Sequence, residues 1–353
     1  MKKILIRSHE YIRLFGRFDP LQPHFPMMWS SASAEFNLQA TCLEVQIECQ
    51  YSAMAPYLSF EVYGVRSQTF VPLKGKHWYP VFLQLSDGPH HVRIAKETQP
   101  FGGDSEALIN LIAIRTNGQL LPPDEKKLRI EFIGDSITSG EGCKGPVSFM
   151  EWVPMVFSSS DTYAKMTADA LNAEFQVISQ SGWGVLGAWD NNPSGCIPRV
   201  YHQICGPVTA QNAQANYAFS FKPHKIVIAL GTNDGGASHN PAYTDPETGI
   251  TYQLTESKED MQRLTDGCCA FIRTLSDKNP GAKLYWILFF GEGPVHDAIA
   301  AAVDKMKGEG VDICFSVPLT LDGMTKEEMG SRAHPGIKAH QKISRALVQL
   351  LKD

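Results

Sequence analysis

The segment Ile130–Gly142 reads IEFIGDSITSGEG. Ile130, Phe132 and Ile133 make the apolar end of a strand, and the apolar run stops abruptly at Gly134-Asp135-Ser136. Small and polar residues come next. Gly-Asp-Ser is ordinary turn composition, with serine as a cap. The alternative is that Ser136 is a nucleophile held out beyond the carboxyl end of a sheet, where open α/β sheets carry their sites. A phosphate-binding loop is excluded, because the required Gly-Lys-Ser/Thr is missing. The surrounding segments decide between turn and site.

Downstream, apolar runs alternate with helical patterns. LRIEFI, FQVIS, HKIVIAL, KLYWILFF and VDICFS are nearly continuous apolar strands. Between them, SSSDTYAKMTADALNA opens on Ser and Asp and spaces Tyr163, Met166, Ala170 and Leu171 at helical intervals. ESKEDMQRLTDGCCAFIRTL puts Met261, Leu264, Cys268, Phe271 and Leu275 on one helical face, PVHDAIAAAVDKM opens on a proline, and HPGIKAHQKISRALVQLL closes the chain. Buried strands between helices predict an α/β unit: a five-stranded parallel sheet sandwiched by helices.

Upstream the period changes. CLEVQIECQ alternates Leu43, Val45, Ile47 and Cys49 against Glu44, Gln46 and Glu48; YLSFEVYG and HHVRIAKE alternate similarly, and Gly/Pro turns punctuate them. No helix is predicted before residue 120. Short period-two strands predict an all-β, jelly-roll-like sandwich over 1–121. QLLPPDEKKL has linker composition. We therefore expect a linker at 122–127 and an α/β domain over 128–353.

The bulk numbers exclude several classes of function. Hydrophobic residues make up 43% of the 353 positions and the net charge is −5, which gives no footprint for nucleic acid or an anionic membrane. No apolar run reaches the ~20 residues of a membrane span. The opening MKKILIRSHEYIRLF has an unbroken apolar run of only three residues before Arg7, too short for a signal peptide. A chain that begins there is expected in the cytoplasm. The eight cysteines contain no C-x-x-C pair and no zinc spacing, so they are read as buried thiols, with no metal and no cofactor. No feature of the pattern sets an oligomeric state.

The residues just beyond each strand are more informative. Gly134-Asp135-Ser136 lies after the first, SQSGWGVLG with Gly182 after the second, GTNDGG with Asn233 after the third, and SRAHPG with His334 precedes the last helix. Each has a commonplace reading as cap, turn or helix boundary. Together, in this order, they supply a nucleophile, a base and oxyanion donors, the parts of acyl transfer.

Those four segments resemble the blocks of the SGNH (GDSL) hydrolases over about residues 128–353. The front sandwich, entered through MMWSSASAEFNL, resembles that of the two-domain acetyl-carbohydrate esterases, carbohydrate esterase family two. The resemblance implies a flavodoxin-like sheet, Ser136 as nucleophile, His334 as general base, and an oxyanion hole made by the N–H groups of Ser136 and Gly182 and the Asn233 amide. The family commonly has an aspartate three residues before the histidine; here that residue is Ser331. An orienting carboxylate is worth about 10⁴ in turnover in serine proteases, so its loss needs an account. Some family-two esterases resemble a Ser–His pair oriented by a main-chain carbonyl, and we expect that arrangement. His334 is read as lying at a helix start, where the dipole keeps imidazole neutral. Asp322, Glu327 and Glu328 are the alternative acids, and Ser331 is not expected to hold the ring.

Two long connections, after the second and third strands, carry Trp183, Trp189, Asn191, Asn192, His239 and Tyr243. Aromatic faces among amides suit a sugar ring, so Trp183 and Trp189, with Trp152 as a third, are candidate substrate-binding residues. Packing of the loop onto the sheet is the plainer reading of each. His239 is read as a solvent-facing loop histidine, and Arg17 in FGRFD as a candidate sugar contact. The expected function is removal of O-acetyl groups from acetylated xylan- or mannan-type oligosaccharides. The alternatives are a lipase or thioesterase on the same frame, and a carbohydrate-binding protein without catalysis.

Overall fold

In the computed structural model, which describes residues 1–352, the chain from Leu128 onward builds a five-stranded parallel sheet. Its strands are β1 (Leu128–Gly134), β2 (Ala173–Ser179), β3 (Lys225–Ala229), β4 (Lys283–Ile287) and β5 (Ile313–Ser316). The order across the sheet is β2-β1-β3-β4-β5, and every neighbouring pair is parallel. Ile130, Phe132, Val227, Tyr285 and Ile287 point to one face, Ile133, Ile178, Ile226, Ile228 and Trp286 to the other, and both sets are buried. This is why the strands read as continuous apolar runs rather than alternating ones.

The helices that cover the sheet start where their caps are. A short α1 (Ser136–Ser139) leaves β1 under the Asp135 cap, and α2 (Tyr163–Ala170) starts at Thr162. The GTNDGG segment is α3 (Thr232–His239), although its composition suggests a turn. Long α4 (Lys258–Lys278) is capped by Ser257 and packs beside α5 (Pro294–Gly308); α6 (Ile337–Leu350) closes the chain. Among the described residues, no helix is long and apolar enough to cross a membrane.

Ahead of β1 lie two antiparallel sheets and, among the described residues, no helix. One pairs Leu43–Gln50 with Leu108–Thr116 and Gly75–Phe82; the other pairs Ser33–Gln39 with Pro89–Lys96, which also pairs Leu58–Val62. Their inner faces share one apolar core that includes Phe36, Val45, Ile47, Phe60, Ile94 and Ile114. Residues 122–127 have no regular structure but are tied down: Pro122 O accepts from Asn37 at 3.1 Å, and Lys126 pairs with buried Glu35 at 2.9 Å.

The sandwich and the parallel sheet are joined by buried polar contacts. Arg17 is 1% exposed; its guanidinium reaches Glu131 on β1 at 3.4 Å, donates to Tyr201 O and Gln203 O, and lies 4.4 Å from the Tyr201 ring. Arg17 is thus a buried anchor between the two layers, not the candidate sugar contact that FGRFD suggested. Trp29 Nε1 donates to Ile204 O at 2.6 Å beside it. Removing one partner of a buried ion pair leaves the other charge uncompensated, at about 3–5 kcal/mol. Arg17→Ala should therefore lower the unfolding free energy in urea by about that amount. An unchanged midpoint would show that Glu131 finds sufficient support in Tyr201 and Gln176.

Candidate active site

The carboxyl ends of β1, β2 and β3 face one open cavity of about 520 Å³, lined by Ser136, Glu141, Trp152, Ser181, Gly182, Trp189, Asn233, Arg332 and His334. Ser136 is the first residue of α1. Asp135 accepts from Ile137 N at 3.0 Å and sets the turn that brings the serine to the rim. At the start of a helix the N–H groups have no acceptor within the helix, so the Ser136 N–H is free for an external oxygen.

His334 Nε2 lies 2.8 Å from Ser136 Oγ. Its Nδ1 lies 2.7 Å from Arg332 O. A carbonyl can only accept, so Nδ1 carries the proton and Nε2 is left as the acceptor for the serine O–H. The imidazole is therefore oriented by a main-chain carbonyl. Ser331 does not touch the ring; its hydroxyl donates to Lys144 O at 2.7 Å and its carbonyl accepts from His334 N. Among the described residues no carboxylate bonds to Nδ1, and Glu328 instead accepts from Thr325 N and pairs with Lys342. The helix-start reading of His334 needs correction. His334 has extended backbone (φ −102°, ψ 162°) two residues before the α6 cap at Gly336, so the contact that sets its tautomer is Arg332 O, not the dipole.

That carbonyl is presented by strained backbone. Arg332 (φ 57°) and Ala333 (φ 54°) are consecutive non-glycine residues in the left-handed region, each costing on the order of 1–3 kcal/mol. The Arg332 side chain holds the strain in place: Nε donates to buried Glu141 at 2.5 Å, NH1 to Met150 O at 2.7 Å, and its own N–H to Phe149 O at 2.8 Å. Glu141 also accepts from Trp152 Nε1 at 3.3 Å. One carboxylate thus ties the imidazole support to an aromatic wall of the cavity. Gly142 makes room for the loop, since a Cβ there would sit 2.4 Å from His334 Cβ.

The donors on the other side are shaped by their loops. Gly182 has φ 78°, and a Cβ on it would meet Trp189 Cδ1 at 2.8 Å, so only glycine lets the indole close over the turn. Asn233 donates to Trp183 O at 2.9 Å, which orients the amide; its other hydrogen has only Asp135 at 3.4 Å. Asp234 is buried and accepts from Val185 N and Leu186 N, pinning the loop after β2 to α3. Those bonds, not local propensity, make Asn-Asp-Gly-Gly helical. Burial raises the Asp234 carboxyl and pushes Asp135 up to about 7. Asp135 is thus about half protonated near neutral pH and becomes mostly protonated as the solution turns acidic.

The three tryptophans separate. Trp189 is 51% exposed and, with Trp152, lines the cavity around Ser136. Trp183 does not; it lines an adjoining cavity of about 550 Å³ with Trp152 and with Met54 and Phe101 of the sandwich. The amides of the long loop are structural. Asn191 donates to Ala237 O and Pro241 O and accepts from Leu254 N. His239 is exposed at the end of α3, away from the cavity. The sequence alone does not single out Glu141 or Arg332. Both sit inside the informative segments SGEG and SRAHPG, but charged residues in such loops carry no mark of pairing. Among the described residues, no group of three His, Cys, Asp or Glu side chains stands together as metal ligands.

Known proteins share this fold. The family profile described as "Carbohydrate esterase 2 N-terminal" matches residues 14–123. The solved structure of an acetyl xylan esterase, Est2A, from the rumen bacterium Butyrivibrio proteoclasticus superposes with a TM-score of 0.95 at 29% identity, over 99% of this chain and 97% of that one. Over its whole length the chain is similar to the esterases of carbohydrate esterase family two. Two curated relatives agree. The cellulase/esterase CelE of Acetivibrio thermocellus is 30% identical over 230 residues, 63% of this chain. The chain spans only 26% of that longer protein. An acetylxylan esterase / glucomannan deacetylase of Cellvibrio japonicus is 27% identical over 289 residues, 79% of this chain and 73% of the relative.

Proposed function

We propose that the protein is a serine esterase that removes O-acetyl groups from xylan- or mannan-type oligosaccharides through an acyl-enzyme. The observation that carries this reading is the contact of His334 Nε2 with Ser136 Oγ at 2.8 Å, with Nδ1 held on Arg332 O. In this reading His334 takes the serine proton as Oγ attacks the acetyl carbonyl. The resulting oxyanion is met by the N–H groups of Ser136 and Gly182 and by the Asn233 amide. His334 then returns the proton to the departing sugar hydroxyl, and water repeats the sequence to release acetate. A serine hydroxyl needs such a base because it is a poor nucleophile at neutral pH.

The sugar is assigned to the open side of the cavity, between Trp152 and Trp189, whose rings offer apolar faces to sugar C–H groups. Relatives that act on acetylated xylan and glucomannan support this substrate class. We divide the chain into a jelly-roll-like sandwich, 1–121, a linker, 122–127, and a flavodoxin-like catalytic unit, 128–353. Apart from the hairpin of Leu58–Val62 and Val65–Phe70, successive sandwich strands alternate between the two antiparallel sheets, which supports the jelly-roll reading. We place the enzyme in the cytoplasm, acting on fragments that have entered the cell; the support is its eight cysteines, all free thiols.

The test is a panel of acetylated xylo-, manno- and gluco-oligosaccharides, with product NMR to locate the ester removed, beside aryl acetate and octanoate. Acetyl esters should turn over at least a hundredfold faster than octanoyl esters. Equal rates would favour a lipase or thioesterase. Binding without hydrolysis across the panel would favour a carbohydrate-binding protein.

A further inference from the structure

The sandwich reaches the catalytic rim through one wholly buried side chain, Gln99, three residues beyond the end of the strand Pro89–Lys96. Gln99 Oε1 accepts from the backbone N–H of Ser181 at 2.8 Å. Its Nε2, equally buried, has no hydrogen-bond partner among the described residues. Burying an amide with one end unpaired is costly, so the bond at the other end is the contact that accounts for a glutamine at this position.

Ser181 immediately precedes Gly182. On the far side, Gly182 O accepts from Trp189 N at 2.9 Å. The peptide unit that carries the Gly182 N–H is therefore bracketed: Gln99 holds the chain before it, and Trp189 holds the chain after it. Between them Gly182 sits at φ 78°, a conformation with little steric guidance of its own. A turn of that kind drifts unless both ends are tied. Oxyanion stabilisation depends on donors fixed before the charge develops.

We propose that Gln99 is a positioning residue for the oxyanion turn, so that the sandwich domain completes the catalytic site by aiming the Gly182 N–H. This inference rests on the acyl-transfer reading above. Gln99 touches neither substrate nor reacting atoms and acts through Ser181. The sandwich is then a structural part of the catalytic unit as well as a neighbour of the sugar cavity.

The experiment compares Gln99→Met, which keeps length and volume but has no acceptor, with Thr98→Val. Thr98 is an equally buried neighbour whose hydroxyl has no partner among the described residues. For an acetyl ester, Gln99→Met should lower kcat about tenfold or more, below the ~10²–10³ of a fully lost donor, with KM within threefold. The Ser181 amide should exchange with solvent deuterium at least tenfold faster, while the β1 amides stay protected. Thr98→Val should match wild type in both. Unchanged Ser181 exchange, unchanged kcat, or an equal loss in Thr98→Val would each overturn the inference. An active wild type with an unaffected Gln99→Met sinks this inference alone; a wild type with no turnover sinks the esterase reading as well. If Gln99→Met does not fold, Gln99→Asn, which is too short to reach Ser181, gives the same comparison.

Discussion

Ser136→Ala should lower deacetylation of an acetylated oligosaccharide by about 10⁴-fold or more, while the variant still binds the sugar. Without Oγ there is no atom to carry the acetyl group, and a water in its place lacks the position the α1 turn gives the hydroxyl. His334→Ala should fall to a similar level, and the double variant should be little worse than either single one. Residues that act as one unit do not lose rate additively. The geometry behind this is a single proton path from Oγ to Nε2, 2.8 Å long, in a ring whose other nitrogen is committed to Arg332 O. Steady-state rates on one acetyl ester, with sugar binding followed by calorimetry, check it. If Ser136→Ala kept more than a tenth of the wild-type rate, the nucleophile would have to be sought elsewhere. If it lost binding as well, the serine would be holding the cavity open instead of reacting.

The second large effect is expected at Asn233. Loss of a fixed oxyanion donor costs ~2.7–4 kcal/mol in a well-studied hydrolase, so Asn233→Ala should reduce kcat by about 10²–10³ with little change in KM. The bond from Asn233 to Trp183 O at 2.9 Å holds the amide before substrate arrives, which is the preorganisation such a donor needs. Asn233→Asp should be worse than alanine, since it sets a negative charge against the developing oxyanion beside Asp135. Equal kcat in wild type and Asn233→Ala would remove the amide from the site. A rise in KM with kcat preserved would make it a ground-state contact instead.

Much of the architecture was legible because the signals are local. A strand buried on both faces must be apolar at nearly every position, so β1 to β5 stand out wherever they occur. A sheet buried on one face alternates, so the sandwich announces itself at Leu43–Gln50. Helix α3 was the failure of composition. Thr232–His239 holds two glycines and reads as a turn, yet the Asp234 bonds to Val185 N and Leu186 N make it helical. Those bonds join residues about fifty positions apart, and no window of sequence contains both ends. The long loop misled in the opposite direction. Its amides at Asn191 suggested sugar recognition, whereas they close the loop on its own backbone.

By itself the sequence marked the candidates for chemistry and the order in which they leave the sheet: Ser136, Gly182, Asn233, His334. Strand ends are set by where apolar runs stop, and the handed βαβ path puts those ends on one rim. Only the tertiary structure decided how they are held. The carbonyl that orients His334 belongs to a residue whose side-chain identity does not reveal it, because every residue has a carbonyl. Its presentation depends on Glu141, nearly two hundred positions away, gripping the Arg332 side chain. That Trp152 and Trp189 wall the cavity while Trp183 turns to the next one is likewise a matter of direction. Direction is fixed by packing between distant segments, which leaves no periodic trace along the chain.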